Sequence, residues 1–493
     1  MSHPASVAAL LLGLILACAG GPASESGWSW GSESPYPPAG DDLRSRAAAL
    51  LSEAIRFQTV NPPGNERALA EHLVARARAA GLEARVQLTP SGGNGTSRAA
   101  AWAVHRGRGR ARPIVLLSHL DVVPADAEQW TVPPFEGVVG GGFVVGRGAL
   151  DAKGIAVAHL LTLIELQRRG IELDRDVIFL AVPDEETGGR HGSGVIVRDH
   201  PDLLRGAEYL LAEGGGIQPS LTEGPDVWGV TFTEKSPCWL ELVAHGLPGH
   251  GASTVSEAAV PSLVRALERV RQLEFETRVV PEVARMFEAL APLAPPGDRA
   301  HFADLPRALA LDPSFRARFL AEPGQASLVR NTVALTVLEG SSSTNIIPAR
   351  ARAHLDGRLL PGERCDDFRE RVRAAIDDPG ITLETLLAFD ANVSPVETGL
   401  FRAIERVAAR LDPDARVVPR VSPGFTDAHY YRDLGIVAYG FVPRRLRPLD
   451  TRGIHGPNER ISIDNLEFGV ETLVALLREL DGKPGRRPSE AQS

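Results

Sequence analysis

Five short segments of the chain concentrate side chains that bind metal ions or transfer protons. In chain order they are S-H-L-D-V-V-P (118–124), G-R-G-A-L-D-A-K-G (146–154), P-D-E-E-T-G-G (183–189), E-G-G-G (213–216) and G-I-H-G-P-N-E-R (453–460). Their histidines and carboxylates, without a thiolate, form the type of ligand set that suits zinc or a similar divalent ion. If Asp151 is shared, two ions each receive three protein ligands and keep a position for water, as catalytic metal sites require.

Taken one at a time, these segments also have ordinary structural explanations. His119 could be a solvated loop histidine, and Asp151, which precedes a helical pattern, could be a helix N-cap. The consecutive carboxylates at 184–186 could form an exposed acidic turn. At the end of a buried strand, however, they are costly without a compensating cation. One carboxylate could then bind metal while its neighbour acts as general base, and Asp121 could orient the imidazole of His119 from the same side of the extended chain.

Three of these segments stand at or just after apolar runs that are typical of buried strands. The runs cover residues 114–117, 177–182 and 209–211, and a clear helical pattern spans 155–169. Buried strands that alternate with helices predict an α/β sheet with helices on both faces. Functional side chains of open α/β sheets collect at the carboxyl ends of the strands, which is where these segments fall.

The middle of the chain has a different order of predicted strands and helices. From about residue 237 the pattern is β-α-β-β-α-β, the order of a ferredoxin-like α+β domain, and a helical, proline-containing insertion occupies 275–328. The α/β pattern resumes after about residue 391, so the smaller domain interrupts the larger one. The predicted divisions are a signal peptide (1–19), a linker (20–41), a catalytic domain in two parts (42–236 and 391–480), the inserted domain (237–390) and a disordered tail (481–493).

Composition narrows the function classes. A chain of 493 residues is too long for one ordinary core, and its formal net charge of −9 argues against nucleic-acid binding. The motifs G-x-x-x-x-G-K-[ST] and H-E-x-x-H do not occur in the sequence, which disfavours a P-loop enzyme and an H-E-x-x-H protease. The pattern G-x-S-x-G occurs at 27–31, in the predicted linker and not between a strand and a helix, so a serine hydrolase of that type is also disfavoured.

The first residues predict export. The apolar run from Ala5 to Ala19 is shorter than the roughly 20 residues of a transmembrane helix, and it ends in A-C-A (17–19), a signal-peptidase pattern. A lipoprotein signal with Cys18 as the lipidated residue is the alternative. The remaining cysteines, Cys238 and Cys365, could pair but are no disulfide framework. No other apolar run is long enough to span a bilayer.

Together with G-H-G-A-S (249–253), the five segments resemble, in order and spacing, the motifs of the M20 metallopeptidases, the aminoacylase and carboxypeptidase family. The resemblance extends from about residue 42 to 480. It implies a zinc-exopeptidase-like catalytic domain with a mixed sheet, interrupted by a ferredoxin-like lid or dimerisation domain. It also implies two Zn²⁺ ions per chain, with Co²⁺ or Mn²⁺ as alternatives, and a homodimer formed through the lid domain.

The resemblance assigns each metal-binding residue a role. Asp151 bridges the two ions. His119 and Glu213 complete one site, and Glu186 and His455 complete the other.

Further roles follow from the same resemblance. Glu185 is the general base that takes a proton from the attacking water and passes it to the leaving amine, and Asp121 orients His119. His250 stabilises the oxyanion, while Arg358 and Asn345 match positions that hold the substrate carboxylate and the oxyanion region.

The expected substrate is a small peptide or an N-acyl amino acid with a free carboxylate. Gly424 matches a glycine-rich substrate loop, but Phe425 replaces a small residue often found beside it. The long insertion and the signal segment resemble the carboxypeptidase S and N-acyl-amino-acid hydrolase branch. Synthesis by the reverse reaction is not distinguished by the sequence. A catalytically silent relative used for binding or assembly is the second hypothesis, although every ligand position and the base are filled.

Overall fold

The computed structural model describes residues 40–90, 97–219, 224–253 and 257–482. The predicted signal peptide with Cys18, nearly all of the linker and nearly all of the C-terminal tail lie outside the described residues. Among the described helices, none combines the length and the hydrophobicity that crossing a bilayer requires.

The strands are β1 (Glu83–Thr89), β2 (Arg98–His105), β3 (Ile114–His119), β4 (Val138–Gly140), β5 (Phe143–Val145), β6 (Val177–Val182), β7 (Tyr209–Gln218), β8 (Val227–Glu234), β9 (Ser236–His245), β10 (Gly249–His250), β11 (Thr332–Glu339), β12 (Ile346–Ile347), β13 (Arg350–Leu359), β14 (Ile381–Ala388), β15 (Arg416–Ser422), β16 (Val437–Arg445) and β17 (Arg460–Ser462).

The helices are α1 (Leu43–Ile55), α2 (Arg67–Ala79), α3 (Lys153–Arg168), α4 (Ser193–Asp199), α5 (Ala259–Arg271), α6 (Pro281–Leu290), α7 (Arg299–Ala303), α8 (Leu305–Leu311), α9 (Pro313–Ala321), α10 (Pro323–Leu328), α11 (Cys365–Ile376), α12 (Gly399–Leu411), α13 (Ala428–Arg432), α14 (Pro448–Thr451) and α15 (Ile463–Leu480).

The described chain divides into two compact units. Unit 1 comprises residues up to Phe232, Ser394–Pro419 and the chain from Thr426 onward, and unit 2 comprises Thr233–Val393 with Arg420–Phe425. Unit 1 is therefore built from sequence-distant parts. The short segment Arg420–Phe425 lies within the catalytic domain that the sequence predicts, whereas its contacts group it with unit 2.

Unit 1 is organised by a mixed eight-stranded sheet in the order β1-β2-β6-β3-β7-β16-β8-β15. The strands β6, β3, β7 and β16 run parallel to one another, and β2 joins β6 antiparallel. Every residue of β3 and of β6 is buried. Because alternate side chains of a strand point to opposite faces, the centre of this sheet is covered on both sides. The mixed α/β fold predicted from the sequence is thus confirmed.

The ends of two strands differ from the sequence prediction. The predicted strand at 209–211 continues to Gln218, so Glu213 lies inside β7 rather than after a strand. The apolar run at 114–117 likewise continues to His119, the last residue of β3. Extended backbone is not limited to apolar residues, because pairing with neighbouring strands holds polar and glycine residues in the ladder as well.

Unit 2 contains an antiparallel four-stranded sheet in the order β11-β13-β9-β14. The four strands of this sheet and the two helices packed against it follow one another in the order β9, α5, β11, β13, α11 and β14, the β-α-β-β-α-β order that the sequence predicts. Apolar residues of α5 and α11 join those of β9 and β13 in one buried cluster. Cys238 of β9 and Cys365 at the start of α11 form a disulfide, the pairing that the sequence analysis left open.

Residues 281–328 form the helices α6 to α10 and carry their own small core. Phe287 lies at the centre of this core, with its ring 5.1 Å from that of Phe302 and 5.2 Å from that of Phe319. The buried Lys235 donates hydrogen bonds of 2.9 Å to the carbonyl oxygens of Ser327 and Arg330, so it fixes the end of the insertion to the beginning of β9.

Candidate metal centre

His119 is held in an orientation that suits a metal ligand. It ends β3 and is 2% exposed, and its Nδ1 lies 2.9 Å from the carbonyl oxygen of Asp121. Because a carbonyl can only accept, Nδ1 carries the proton in this contact, and Nε2 is left as a lone-pair donor. Such a backbone acceptor behind the imidazole is the usual support for a metal-binding histidine.

Asp151 lies between two histidines that come from distant parts of the chain. Its Oδ1 is 2.9 Å from Nε2 of His119, and its Oδ2 is 3.3 Å from Nε2 of His455. The Nε2 of His455 is also 3.3 Å from Oε2 of Glu186, while that of His119 is 3.6 Å from Oε2 of Glu213. The structure therefore brings all five sequence-predicted ligands together in unit 1.

The geometry gives two overlapping groups that could hold a divalent ion. One consists of His119, Glu185 and Glu213, and the other of His119, Asp151 and Glu186. Glu185 enters the first group because its Oε2 lies 3.9 Å from Nε2 of His119. The family resemblance implies that Glu185 is the general base, so this residue has two candidate roles that metal stoichiometry can separate.

Asp121 supports both the histidine and the acidic turn. It is fully buried, and its two carboxylate oxygens accept the backbone N–H groups of Glu185 and Glu186, each at 3.1 Å. Its Oδ1 also lies 3.5 Å from Nδ1 of His119. One side chain therefore connects the end of β3 with the turn that follows β6.

Two polar side chains behind Asp121, those of Asn61 and Arg98, are not among the site residues that the sequence predicts. Asn61 donates from Nδ2 to Oδ2 of Asp121 at 2.8 Å, and its Oδ1 accepts from Nη2 of the buried Arg98 at 2.7 Å. Arg98 also donates from Nη1 to Asp184 at 2.6 Å. Asn61 opens the N-P-P-G turn, and the signal that the sequence offered was a polar residue followed by two prolines, which was interpreted only as a turn.

The electrostatics of the cluster favour a bound cation. Burial and the Glu213 carboxylate raise the pKa of the Glu185 carboxyl well above its usual range. Burial also raises the pKa of Glu186 to about 7, and hydrogen bonds to Asp151 and Glu186 raise the pKa of His455 to about 10. Protons would thus have to balance the crowded carboxylates in the absence of another positive charge.

The donor set fits a divalent metal. Imidazole nitrogen and carboxylate oxygen are the ligands of catalytic zinc sites, and no cysteine belongs to either group. Oε1 of Glu186 is buried and has no hydrogen-bond partner among the described residues. A buried carboxylate oxygen in that state is stabilised by a cation.

The other predicted site residues lie in unit 2. His250 of the short strand β10 pairs with Ile346 of β12, and the backbone N–H of Gly251 donates to the carbonyl of Asn345 at 2.8 Å. Unit 2 therefore brings His250 and Asn345 close together in a small two-stranded ribbon. The side chain of His250 is exposed.

Arg358 of β13 is also in unit 2, together with Gly424. Asp356 accepts hydrogen bonds from its Nε and Nη2 at 2.6 and 3.0 Å. The guanidinium lies 4.9 Å from the ring centre of Phe425 and 5.7 Å from that of Trp239. Phe425, the residue beside Gly424 where the family often has a small side chain, thus packs against Arg358.

Comparison with known proteins identifies the family. The model of peptidase family M20/M25/M40 matches residues 115–479, most of the chain. The chain belongs to the M20 peptidase family. It is 31% identical over 379 residues to the N-fatty-acyl-amino acid synthase/hydrolase PM20D1 of Xenopus tropicalis, a match that covers 75% of this chain and 72% of that protein. The resemblance inferred from the motifs is therefore confirmed.

Two further M20 relatives match over a larger share of the chain. Aminoacylase-1 of Mus musculus is 25% identical over 446 residues, covering 89% of this chain and 96% of that protein. The structure of an M20 family metallo-carboxypeptidase from Sulfolobus solfataricus superposes with a TM-score of 0.69 at 19% identity, covering 88% of this chain and 99% of that one. As a member of the M20 family, the protein is a hydrolase.

Proposed function

We propose that this M20 hydrolase cleaves an amide or peptide bond next to a free carboxylate, using two bound divalent metal ions. The observation that carries the proposal is the position of Asp151 between Nε2 of His119 and Nε2 of His455. A carboxylate with one oxygen toward each histidine is arranged to bridge two ions.

The proposed ligands divide into two sets around this bridge. His119 and Glu213 would complete one set, and His455 and Glu186 the other. Two bound metal ions would polarise the scissile carbonyl and lower the pKa of a water molecule. Zinc is the proposed native metal because the set has imidazole and carboxylate donors, and Co²⁺ and Mn²⁺ accept the same donors.

Glu185 is proposed to move the proton. Its backbone N–H donates to Asp121, and its side chain belongs to the group with His119 and Glu213 but not to the group that contains Asp151. A carboxylate beside the proposed ligands is placed to take a proton from water. It would then deliver that proton to the leaving amine.

Arg358 is proposed to bind the substrate carboxylate, with Asn345 and His250 supporting the oxyanion and Gly424 lining the substrate loop. Asp356 occupies the Nε–Nη2 edge of Arg358. A guanidinium has a second edge, formed by its two terminal nitrogens, which can take a carboxylate bidentately. The names of the relatives support a free amino-acid carboxylate, because both an N-fatty-acyl-amino acid hydrolase and an aminoacylase match the chain.

The proposal includes a homodimer through unit 2 and export from the cytoplasm. Strand β11 lies at the edge of the four-stranded sheet and exposes Leu335 (50%) and Leu338 (57%), a surface that a second copy could cover. The disulfide of unit 2 is of the kind that persists in oxidising compartments.

The test is hydrolysis of a mixed substrate panel. It contains N-acetyl and long-chain N-acyl amino acids and blocked dipeptides, each with a free or an amidated carboxyl terminus, assayed with zinc and with chelator. Cleavage that needs both metal and the free carboxylate is expected, and the preferred acyl group then defines the substrate class. A protein that binds two metal ions and cleaves no member of the panel would contradict the proposed reaction and favour a binding role.

A further inference from the structure

Glu459 is a buried carboxylate beside the proposed metal centre that the roles above do not use. It belongs to the segment that carries His455, and it is completely buried. Its Oε1 accepts the backbone N–H groups of Leu150 at 2.7 Å and Asp151 at 3.0 Å. Its Oε2 accepts the N–H of Gly148 at 3.0 Å. Three donors of the loop that ends in Asp151 therefore converge on one side chain.

Arg147 supplies the fourth donor and the neutralising charge. Its Nη1 donates to Oε2 of Glu459 at 2.7 Å, and the arginine is itself 3% exposed. The Nη2 of Arg147 lies 3.3 Å from the carbonyl oxygen of Pro124, which belongs to the segment after His119. Its guanidinium also stacks over the ring of Trp130 at 5.3 Å. The Glu459–Arg147 pair thus contacts one further segment that carries a proposed ligand, the segment of His119.

The backbone joins the same segments. The N–H of Gly146 donates to the carbonyl oxygen of Glu459 at 2.9 Å, and Arg460 pairs with Val145 between β17 and β5. Beyond the end of β5, the carboxylate of Glu459 accepts the backbone N–H groups of the residues that follow this pairing. Hydrogen bonds from N–H groups to an ionised carboxylate are shorter and stronger than neutral ones, so the loop conformation around Asp151 depends on this charge.

We propose that Glu459 is a positioning residue that sets the distance between Asp151 and His455 and thereby the affinity of the metal centre. Without it, the N–H groups of Gly148, Leu150 and Asp151 lose their acceptor. The segment that carries His455 then also loses its side-chain attachment to this loop. Residues that orient metal ligands typically change affinity ten- to a hundredfold when replaced. This inference rests on the proposed function, because it takes Asp151 and His455 as ligands.

The test compares Glu459→Gln with a matched control. Glutamine keeps the shape but presents an NH₂ group to N–H donors, so at least two of the four hydrogen bonds are lost. Glu479→Gln is the control, because Glu479 is also a buried carboxylate, and its arginine partners, Arg406 and Arg410, belong to α12. Calorimetric titration of each metal-free protein with Zn²⁺ gives affinity and stoichiometry, and thermal unfolding without metal gives stability.

The expected result is a ten- to hundredfold loss of affinity for at least one Zn²⁺ ion in Glu459→Gln, with wild-type affinities in Glu479→Gln. Unchanged affinities in Glu459→Gln, or equal losses in both variants, would overturn the inference. If Glu459→Gln does not fold, Glu459→Asp is measured in its place. The aspartate side chain keeps the charge but is too short to reach all four donors, so the same loss of Zn²⁺ affinity is expected. If the wild type and the Glu459 variants bind two ions with equal affinity, this inference alone is overturned. If the wild type binds no metal ion, the proposed function is overturned as well.

Discussion

The carboxylate of Asp121 accepts the backbone N–H of Glu185 at 3.1 Å. Asp121 follows β3 by two residues, and Glu185 begins the turn after β6, so the contact joins the ends of neighbouring parallel strands. The residue that lies beside His119 is therefore also the residue that fixes the proposed base. A change at Asp121 should disturb metal binding and proton transfer together.

Replacing Asp121 with asparagine should lower both metal affinity and activity. An amide nitrogen would face one of the backbone N–H donors of the acidic turn, and the negative charge beside His119 would be lost. We expect a decrease of roughly ten- to a hundredfold in each quantity, measured by Zn²⁺ titration and by kcat/KM. Asp126→Asn, an exposed aspartate that caps a local turn, should leave both unchanged. Normal metal affinity in Asp121→Asn would contradict the orienting role.

Glu185→Gln should abolish turnover without removing metal. If Glu185 is the general base, kcat should fall by about 10²–10⁴-fold, and metal analysis should still find two ions per chain. If Glu185 is instead a ligand in the group with His119 and Glu213, one ion should be lost with the activity. Full activity in this variant would contradict both roles.

Arg358→Met should weaken the binding of substrates that have a free carboxylate. Methionine keeps much of the side-chain volume but cannot donate hydrogen bonds, and loss of a hydrogen bond to a charged group costs about 1.5–3 kcal/mol. KM should therefore rise by roughly ten- to a hundredfold, with little change in kcat for the bound substrate. The amidated substrate analogue, whose affinity is measured by competitive inhibition, serves as the comparison. A loss that is equal for free and amidated substrates would argue against carboxylate binding.

Reduction of the Cys238–Cys365 disulfide should destabilise the protein. The bond closes a loop with a sequence separation of 127 residues, and native disulfides commonly contribute about 2–5 kcal/mol. Thermal unfolding with and without dithiothreitol should show a lower midpoint for the reduced wild type. A double variant, Cys238→Ala with Cys365→Ala, should have the lower midpoint in both conditions. A wild-type midpoint that does not respond to complete reduction would contradict this prediction.

His159 should make the protein less stable in acid. It lies fully buried in α3, neither ring nitrogen has a hydrogen-bond partner among the described residues, and burial lowers its pKa to about 3. The unfolded chain binds a proton below about pH 6.5, whereas the folded chain does not until about pH 3. Stability is therefore unaffected above pH 6.5 and falls as the pH decreases from 6.5 toward 3.

The matching variant is His159→Leu, which removes the titrating group and places an apolar side chain in an apolar environment. At pH 5.5 the wild type should lose about 1.4 kcal/mol relative to neutral pH through this residue, and the variant should lack that loss. Urea unfolding of both metal-free proteins at pH 7.5 and 5.5 measures the difference. An identical pH response of the two proteins would show that His159 does not titrate in this way.

The sequence alone determined the chemistry of the candidate site and most of its elements. Side-chain types are directly visible in a sequence, so the five proposed ligands and Glu185 could be named from their order in the family motifs. Strand β6 and the β-α-β-β-α-β order of unit 2 followed from hydrophobic periodicity, which is a local property. By contrast, β2 was missed, because its alanine-rich sequence R-A-A-A-W-A-V-H lacks the β-branched pattern of a strand.

Only the tertiary structure decided how these residues face one another. The contact between Asp151 and His455, the support of Asp121 by Asn61 and the disulfide between Cys238 and Cys365 each join residues that are far apart in the chain. A sequence supplies donors, acceptors and thiols but no distances between remote segments. Which of them meet depends on strand order in the sheet and on the need of each buried polar group for a partner, and both are properties of the folded chain as a whole.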